Sequence, residues 1–489
     1  MSEKIVDTYF FDSALALEVA LQKNRAETEN PRLKGLQICY YDGEELKNSP
    51  KNCIHLPLDK IYSYFVTSNN RFPRFVSFIN TPFSISDQIT FNTKLSEILN
   101  LAVIKNNRLV EKYKNKIKKN KPDFSEETLR VFIPACRETM VMQYISKNVA
   151  KAFKQLGCKV KYHIQKSDME CCGALDNLKA QYKFNPHITF NINHLNNDFI
   201  HRDVMNFTWF QDLMPIFTDN KPVNLRKRDF IFTLNKAMRK ELKKQGIERK
   251  NCKVQSFCID TDIYKSRKRI QRKEKIVFIG SSYKQAFDSV PVPKRLKQKI
   301  LYELLEVYMT EGPPSNKKRA EYCKKYKLEE SVLLGHITNY IERDMIIKKI
   351  VNMNINLDFE LYGYDWDKDE ELKKYDKGIL GYGSDISKIY NGAKYTLVSG
   401  GYILQQRILE GSASGSTPVV LDVRHIDTTY NNKFDNSMIF FKKPSELISL
   451  GKDKKSYNLD LLVKSHSYTN FAQDILNIID KNINVQRVK

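Results

Sequence analysis

The sequence predicts an α/β protein with two doubly wound parallel sheets that follow an N-terminal α+β region. From Leu129 onward, short β-rich runs alternate with amphipathic helical patterns, and a second alternating series begins at Lys275. Residues 265–275 lie between the two series. They are highly charged with few apolar residues, and we interpret them as a linker. Strands joined by crossover helices form parallel sheets, so each series predicts one doubly wound domain.

Length and composition fit a soluble protein with more than one core. The chain has 489 residues, 41% of them hydrophobic, and a mean hydropathy of −0.50. No run of about 18 apolar residues occurs, and the N-terminus does not resemble a signal peptide. The nine cysteines form no CxxC pairs with matching histidine spacing, which argues against structural zinc. We therefore expect a cytoplasmic protein with reduced thiols.

Residues 1–125 show no standard unit, and we interpret them as an N-terminal accessory domain. A helix is predicted at residues 13–21, a strand at 35–41 and a long basic helix at 94–119. Acceptor docking, self-association and cover for a sheet edge all remain open as the role of this domain.

Residues 126–265 are predicted to form the first doubly wound domain. Its opening strand, helix and strand, at residues 129–135, 140–156 and 157–164, make a right-handed βαβ unit. The alternation continues with a helix at 175–182, strands at 188–192, 207–210 and 230–233, a helix at 236–244 and a strand at 254–257.

Residues 266–450 are predicted to form the second doubly wound domain, and residues 451–489 are predicted to be helices that pack back on the first. The opening strand at 275–279 runs into a loop of small residues. Helices fill most of residues 294–352, with an insertion near Gly312. Further strands are predicted at 357–363, 395–398, 417–421 and 437–441.

The net charge of +24 is unevenly distributed. Residues 226–275 hold 18 lysines and arginines against 6 acidic residues, which gives +12, half of the total. An anionic partner explains this excess, and so does a solvated helix face followed by a basic linker. Aromatic side chains that stack on bases are sparse in this region, so no nucleic-acid partner is expected. Nucleotide phosphates and an anionic membrane surface remain as candidates.

The strongest functional signal is the segment at residues 405–422, QQRILEGSASGSTPVVLD. It predicts a polar loop, a short helix, a glycine-containing turn and a buried strand. N–H groups at the helix start can receive phosphate, and the Glu410 carboxylate can accept hydrogen bonds from ribose hydroxyls. The alternative is a plain helix–turn–strand unit in which Glu410 is solvated and Gly415 only ends the helix.

Several fragments occur in the order found in GT-B glycosyltransferases. The sequence FIGSS at 278–282 is similar to the opening strand and loop of their donor domain, and FELYGYDW at 359–366 is similar to a later strand end. Residues 378–394 resemble a further segment of that domain, and Arg407, Glu410 and Gly415 match an R-x-x-E-x-x-x-x-G motif. Over residues 129–480 the chain resembles GT-B glycosyltransferases, and within them the spore-maturation (CgeB-like) group.

This resemblance implies two Rossmann-like domains that face a cleft, with the acceptor bound by the first and a nucleotide-sugar donor by the second. It implies no metal and no other cofactor, so helix N-termini and fixed cations must stabilise the departing diphosphate. Tyr362 and Tyr364 are candidates to stack on the base, with cover of the sheet edge as the alternative, and by the resemblance Glu410 would hold the ribose. The predicted donor-binding residues are Gly280, Ser281, Ser282, Lys284, Tyr362, Gly363, Tyr364, Gly400, Gly401, Gln405, Gln406, Arg407 and Glu410.

An inverting reaction also needs a base from the acceptor domain. Ligands of open parallel sheets lie beyond the carboxyl ends of the strands, where Glu138, His194 and Asp212 are predicted. These three residues are the candidate catalytic bases, with a capping role as the alternative for each. A retaining reaction would need no dedicated base.

The expected function is transfer of a sugar to a glycan, lipid-linked or protein acceptor in cell-envelope or surface-glycan synthesis. The cytoplasmic enzyme would contact the inner face of an anionic membrane peripherally. One alternative is a basic nucleic-acid-binding protein. Another is a nucleotide-sugar epimerase on the same fold, which would need several carboxylates and histidines around the sugar, whereas the motif loop offers only Glu410.

Overall fold

The computed structural model describes residues 8–11, 37–40, 53–55, 60, 63–64, 76–78, 85–135, 140–164, 174–212, 214–218, 223–247, 251–267, 269–353, 355–452 and 455–487. The chain divides into two compact units. The first contains residues 1–232 and 246–252, and the second contains residues 233–245 and 253–489.

Short N-terminal strands form a four-stranded parallel sheet in the first unit. Strands β1 to β4 pair in the order β3-β2-β1-β4, and each of the three pairs is parallel. They are followed by a long helix, α1, which confirms and extends the helix predicted at 94–119. The helix predicted at 13–21 lies outside the described residues. The bounds are β1 (Thr8–Phe11), β2 (Gln37–Tyr40), β3 (Cys53–His55), β4 (Val76–Phe78) and α1 (Ile85–Lys119).

A six-stranded sheet is the core of the first Rossmann-like domain. Its order is β10-β9-β8-β7-β5-β6, and the pairs β5/β6, β5/β7 and β7/β8 are parallel. Every residue of β7 and β8 is buried, as expected for central strands covered on both faces. The strands are β5 (Arg130–Pro134), β6 (Lys159–His163), β7 (Ile188–Ile192), β8 (Met205–Phe210), β9 (Asp229–Thr233) and β10 (Cys252–Val254).

Four helices lie between strands of this sheet along the chain; the sequence predicts three of them, and the short helix at 215–218 was not predicted. They are α2 (Met140–Gln155), α3 (Ala174–Phe184), α4 (Pro215–Thr218) and α5 (Lys236–Lys244). One strand was predicted in the wrong place, since β10 ends at Val254 and residues 255–257 lie in a loop. The Gln255 N–H nevertheless donates to the Thr233 carbonyl at 2.8 Å, so the chain leaves the sheet only after that residue.

The second unit contains a five-stranded sheet in the order β12-β11-β13-β14-β15, and all four strand pairs are parallel. The predicted fold class, an α/β chain with two Rossmann-like domains, is thereby confirmed. The strands of this sheet are β11 (Lys273–Ile279), β12 (Asp358–Tyr362), β13 (Ala393–Val398), β14 (Thr417–Leu421) and β15 (Ile439–Phe441).

Helices cover both faces of the second sheet. Ile276 and Phe278 of β11 belong to one buried apolar cluster, and Val277 and Ile279 belong to the other. Because successive side chains of a strand point to opposite faces, helices must pack on both sides. In chain order, the helices that follow β11 are α6 (Lys284–Asp288), α7 (Lys294–Thr310), α8 (Asn316–Tyr326), α9 (residues 330–351, π-helical at Leu333–Thr338 and Ile341–Met345), α10 (Ser384–Gly392), α11 (Gln406–Ala413), α12 (Leu459–Ser465) and α13 (Tyr468–Arg487).

The predicted linker, whose described residues are 265–267 and 269–275, is hydrogen-bonded to the helices that pack on the second sheet and continues into its strand β11. Residues 273–275 already belong to β11. The buried Asn391 accepts the Arg267 N–H at 2.7 Å and donates to the Lys265 carbonyl at 3.0 Å. Arg272 donates to the Ser414 carbonyl at 3.0 Å. The basic side chains therefore lie on a segment with a defined path.

No helix within the described part of the chain is long and apolar enough to cross a membrane.

Candidate functional site

The carboxyl edge of the second sheet has the topology of a ligand site. Strand β11 comes first in the chain, and the next two strands add on opposite sides of it. Open α/β sheets bind their ligands in a crevice at such a switch point, so the topology places this crevice between the loops after β11 and β13. Residues 280–283 follow β11, and residues 399–405 follow β13.

The loop after β11 satisfies its own backbone. The Gly280 N–H donates to the Tyr362 carbonyl at 2.8 Å, and the Ser282 N–H donates to the Tyr364 carbonyl at 3.0 Å. Asp344 accepts the Tyr283 N–H at 2.9 Å and the Ser282 hydroxyl. Two of the N–H groups expected to face a phosphate thus have partners within the domain.

Lys284 and the glycine at position 363 also have structural partners. The Lys284 Nζ contacts the carboxylate of Asp288, one turn along α6. Gly363 has φ +145°, and a Cβ there would lie 2.4 Å from the Gly280 carbonyl oxygen. The two strand ends therefore approach so closely that position 363 requires glycine.

The two tyrosines considered for base stacking differ in exposure. Tyr362 is 7% exposed and donates its hydroxyl to Glu360 at 2.9 Å. Burial raises the pKa of Tyr362, and the Glu360 carboxylate raises it further. Tyr364 is 60% exposed at the end of β12 and is the one of the pair that a base can reach.

Three hydrogen bonds fix the loop after β13. The Gly401 N–H donates to Glu342 at 3.2 Å, the Ile403 N–H donates to Asp427 at 2.9 Å, and the Gln405 amide donates to the Gly400 carbonyl. Gly400 and Gly401 have φ of +90° and +75°. This left-handed backbone turns the loop into α11 at a position that favours glycine.

Helix α11 begins at the crevice without a cap. Among the described residues no side chain caps its start, so its first N–H groups keep the partial positive charge of a helix N-terminus. Two buried side-chain oxygens beside this start have no described partner, the Ser399 Oγ and the Gln406 Oε1. An anion with hydrogen-bonding hydroxyls would satisfy all of these groups.

Arg407 and Glu410 lie on the first turns of α11 and form an ion pair. The Arg407 Nη1 is 2.5 Å from the Glu410 Oε2, and the Gln406 amide donates to the other carboxylate oxygen at 3.4 Å. The Arg407 side chain keeps 32% of its surface exposed, whereas the Glu410 side chain has none. Arg407 can therefore reach a ligand while it stays paired.

The environment of Glu410 differs from the solvated position considered above. Tyr264 and Tyr390 are buried beside it, and burial followed by the Glu410 charge raises the pKa of Tyr264. Burial also raises the pKa of Tyr390. A ribose would reach Glu410 only if this shell opened, so ribose binding by Glu410 stays a prediction.

Three consecutive residues of α9 hold the two loops, and no sequence motif pointed to them. Glu342 holds Gly401, accepts the Tyr308 hydroxyl at 2.6 Å and pairs with Arg319 at 3.1 Å. Arg343 donates to the Ser281 carbonyl at 3.0 Å. Asp344 holds Ser282 and Tyr283, and its burial raises its pKa to about 6. All three lie in the second π-helical part of α9.

The carboxyl edge of the first sheet carries the candidate bases. Asn193, buried at the end of β7, accepts the Gln211 N–H at 2.7 Å and donates to the Asp212 carboxylate at 2.8 Å. It thereby ties the ends of β7 and β8 together, and its φ of +60° is a conformation that asparagine tolerates. Asp212 and His194 are exposed. Desolvation lowers the pKa of His194.

The third candidate base, Glu138, lies outside the described residues. Asn193 was missed, although an asparagine directly after a buried strand is itself a turn signal. The buried amides of Asn191 and Asn206 bond to each other at 2.8 Å, and Asn206 donates to the Leu195 carbonyl at 2.7 Å. This network fixes the loop that carries His194.

Two overlapping Asp-x-Asp pairs at residues 365–369 lie at the end of β12. Asp365 pairs with Lys368 and Asp369 with Lys348, each at 2.6 Å. Over the described ranges, no group of three histidine, cysteine, aspartate or glutamate side chains could hold a metal ion.

Fold and site together define an α/β protein with two Rossmann-like domains and an uncapped helix start at the carboxyl edge of the second sheet. No family model matches the chain, and no curated protein matches it. Among solved structures, it is similar to sucrose-phosphate synthase from Thermosynechococcus elongatus, with TM-score 0.40, 8% identity, and coverage of 73% of this chain and 100% of that one.

Two further solved structures are similar to this chain. One is Anabaena HepE in complex with UDP-glucose, with TM-score 0.40, 12% identity, and coverage of 72% and 100% of the two chains. The other is the apo form of WaaB, a lipopolysaccharide outer core galactosyltransferase, with TM-score 0.33, 8% identity, and coverage of 97% and 99%. These neighbours are GT-B glycosyltransferases.

Proposed function

We propose that the protein is a glycosyltransferase whose second unit binds a nucleotide-sugar donor. The observation that carries this proposal is the uncapped start of α11, which faces the switch-point crevice with the partly exposed Arg407 on its first turn. A diphosphate is the group that fits an N-terminal dipole and a planar guanidinium at once. The exposed Tyr364 at the end of the neighbouring strand is available to stack on the base.

The chemistry follows from where charge develops. As the glycosidic bond of the donor breaks, the departing nucleoside diphosphate gains negative charge, and fixed donors at its position stabilise that charge. The N–H groups at the start of α11 and the Arg407 guanidinium would supply this stabilisation without a divalent ion. The proposal therefore includes a metal-independent reaction. We assign acceptor binding to the first unit, where Asp212 or His194 would take the acceptor proton in an inverting reaction. A glycan, a lipid-linked sugar and a protein all present such a hydroxyl.

Thermal shift and turnover with a panel of UDP-, GDP-, ADP- and dTDP-sugars test the proposal. We expect one base to be preferred, with its sugar raising Tm and being hydrolysed or transferred in the presence of EDTA. Arg407→Met should weaken binding about tenfold or more, because a charge-assisted phosphate contact is lost. Arg295→Met, at an exposed arginine of α7, is the matched control and should leave binding unchanged.

Two results would contradict the proposal. Loss of turnover in EDTA would remove the metal-independent mechanism. Strong binding to DNA or RNA that falls steeply with salt, without any preference among nucleotides, would favour a nucleic-acid-binding protein instead.

A further inference from the structure

Arg343 is a cation that forms no ion pair with an acid of the described residues. It is mostly buried, and its Nε is fully buried without a hydrogen-bond partner. Its guanidinium lies 4.0 Å from the ring centre of Tyr283 and 5.5 Å from that of Phe278. Its Nη1 donates a hydrogen bond to the Ser281 carbonyl at 3.0 Å. No carboxylate of a described residue lies within 4.0 Å of it.

The acids on either side of Arg343 in α9 hydrogen-bond to other groups, and of the two only the Asp344 charge raises the pKa of Arg343 from a distance. Glu342 is occupied by Tyr308, Arg319 and the Gly401 N–H. Asp344 is occupied by Ser282 and the Tyr283 N–H. An arginine removed from water without a paired acid is destabilising, so its retention at this place needs another explanation.

The position of Arg343 supplies that explanation. The guanidinium borders the end of β11, since a Cβ added to Gly280 would lie 3.3 Å from its Nη1. Burial is the main factor that lowers the pKa of Arg343, and the positive charge of Arg407 adds to it. Arg343 lies beside the loop after β11, and Arg407 lies on the first turn of α11, which follows the loop after β13. An anion bound beside the loop after β11 would supply the ion-pair partner that Arg343 lacks among the described residues.

We propose that Arg343 is the second cation of the diphosphate site, where it acts from the β11 side and Arg407 acts from the β13 side. This inference rests on the proposed function, of which it names a binding residue. In the free protein the guanidinium is held ready by stacking on Tyr283 and by the Ser281 carbonyl. On binding, Nη–H groups that are not used by the Ser281 carbonyl would donate to phosphate oxygens, a planar arrangement that lysine cannot reproduce.

The test compares Arg343→Met with wild type, using inorganic pyrophosphate, a nucleoside diphosphate and the matching nucleoside as probes. Methionine keeps the contact with the two aromatic rings and removes the charge. We expect the Tm of the free protein to stay unchanged or to rise, because a buried unpaired charge is gone. Affinity for pyrophosphate and for the nucleoside diphosphate should fall about tenfold or more, and affinity for the nucleoside should not change. Arg295→Met is the control for loss of one positive charge.

A purely structural role for Arg343 gives the opposite pattern, a lower Tm with unchanged pyrophosphate affinity, and that result would overturn the inference. If the methionine variant does not fold, Arg343→Lys decides between the same two patterns. Failure of the wider proposal looks different. If pyrophosphate binds in a way that depends on Arg343 but no nucleotide sugar binds, the anion site stands and the glycosyltransferase proposal fails. Turnover that is the same in Arg343→Met as in wild type would retain the glycosyltransferase and remove Arg343 from the diphosphate site.

Discussion

The carboxyl edges of the two Rossmann-like sheets have the same topology and opposite chemistry. In the first sheet, the loops after β7 and β8 present the amide of Asn193, the imidazole of His194, whose pKa is lowered, and the carboxylate of Asp212. In the second sheet, the loops after β11 and β13 lie beside Arg343, Arg407 and an uncapped helix start. One edge suits a neutral hydroxyl and a base, and the other suits a diphosphate. The fold alone does not make this distinction, and only the side chains do.

The largest expected effect comes from breaking the ion pair in the cationic edge. In Glu410→Ala the Arg407 guanidinium loses its carboxylate inside a buried cluster, which should lower the free energy of unfolding by about 2–4 kcal/mol. Donor turnover should fall at least about a hundredfold, because Arg407 no longer has a fixed position. Urea unfolding and donor kinetics measure the two effects.

Glu370 and Lys373 provide the control for that experiment, since they form a pair of the same spacing on the surface, with the Glu370 side chain 84% exposed. Glu370→Ala should change stability by less than about 1 kcal/mol and leave turnover intact. Equal effects of the two substitutions would mean that the Arg407–Glu410 pair has no special role.

The next effect tests the neutral edge. If Asp212 or His194 is the base, Asp212→Asn or His194→Ala should lower kcat about a hundredfold and leave donor affinity unchanged. For His194 the sign of the pH dependence is set by its lowered pKa. The neutral, base-competent form prevails above pH 6.5, and kcat/KM should fall only as the pH drops below that value.

Asp198→Asn is the control, because this exposed acid lies in the same loop as His194 and contacts Lys114. Donor affinity that falls in the Asp212 or His194 variant would place the donor at the first sheet and reverse the assignment of the two edges. Unchanged kcat in both variants would favour a retaining reaction.

Local sequence signals predicted the strands and the motif helix. The strand predicted at 188–192 matches β7, and the polar loop before Gln406 predicted the start of α11, because both depend on neighbouring residues. The burial of Glu410 could not be predicted, since Tyr264 lies far from it in sequence. Arg343 was missed because a π-helical stretch inside α9 has no sequence pattern of its own.

Two expectations could have been refined from the sequence itself. Asp288 lies four residues after Lys284, the spacing at which opposite charges pair on a helix, so a local partner for Lys284 was visible. Position 363 was considered for ligand binding, whereas its glycine is needed for the approach of two strand ends that only the sheet brings together.

A smaller, pH-dependent effect is expected from Asp344, which holds the loop after β11. The folded-state pKa of Asp344, about 6, is higher than its ordinary value of 3.8. Folding therefore favours the protonated form, and the stabilisation this gives is complete below pH 3.8 and is lost as the pH rises through 6. Relative to Asp344→Asn, wild type should lose about 2 kcal/mol of unfolding free energy between pH 4 and 7.

Tryptophan fluorescence can report that difference from the second unit alone. The chain has two tryptophans, Trp209 in the first unit and Trp366 in the second, so both proteins are compared in a Trp209→Phe background. A stability difference that does not vary with pH would show that Asp344 stays ionised in the folded protein.

The smallest effect is expected for Lys284, which tests whether the loop after β11 contributes a cation of its own. Its ammonium group is paired with Asp288 on an exposed surface, and exposed pairs contribute less than about 1 kcal/mol. Lys284→Ala should therefore change the donor KM by less than about twofold, and Asp288→Ala should behave in the same way. A tenfold higher donor KM in Lys284→Ala alone, at unchanged Tm, would mean that Lys284 leaves Asp288 for the diphosphate. The anion would then be held mainly from the β11 side, and the uncapped start of α11 would lose its place as the principal phosphate contact.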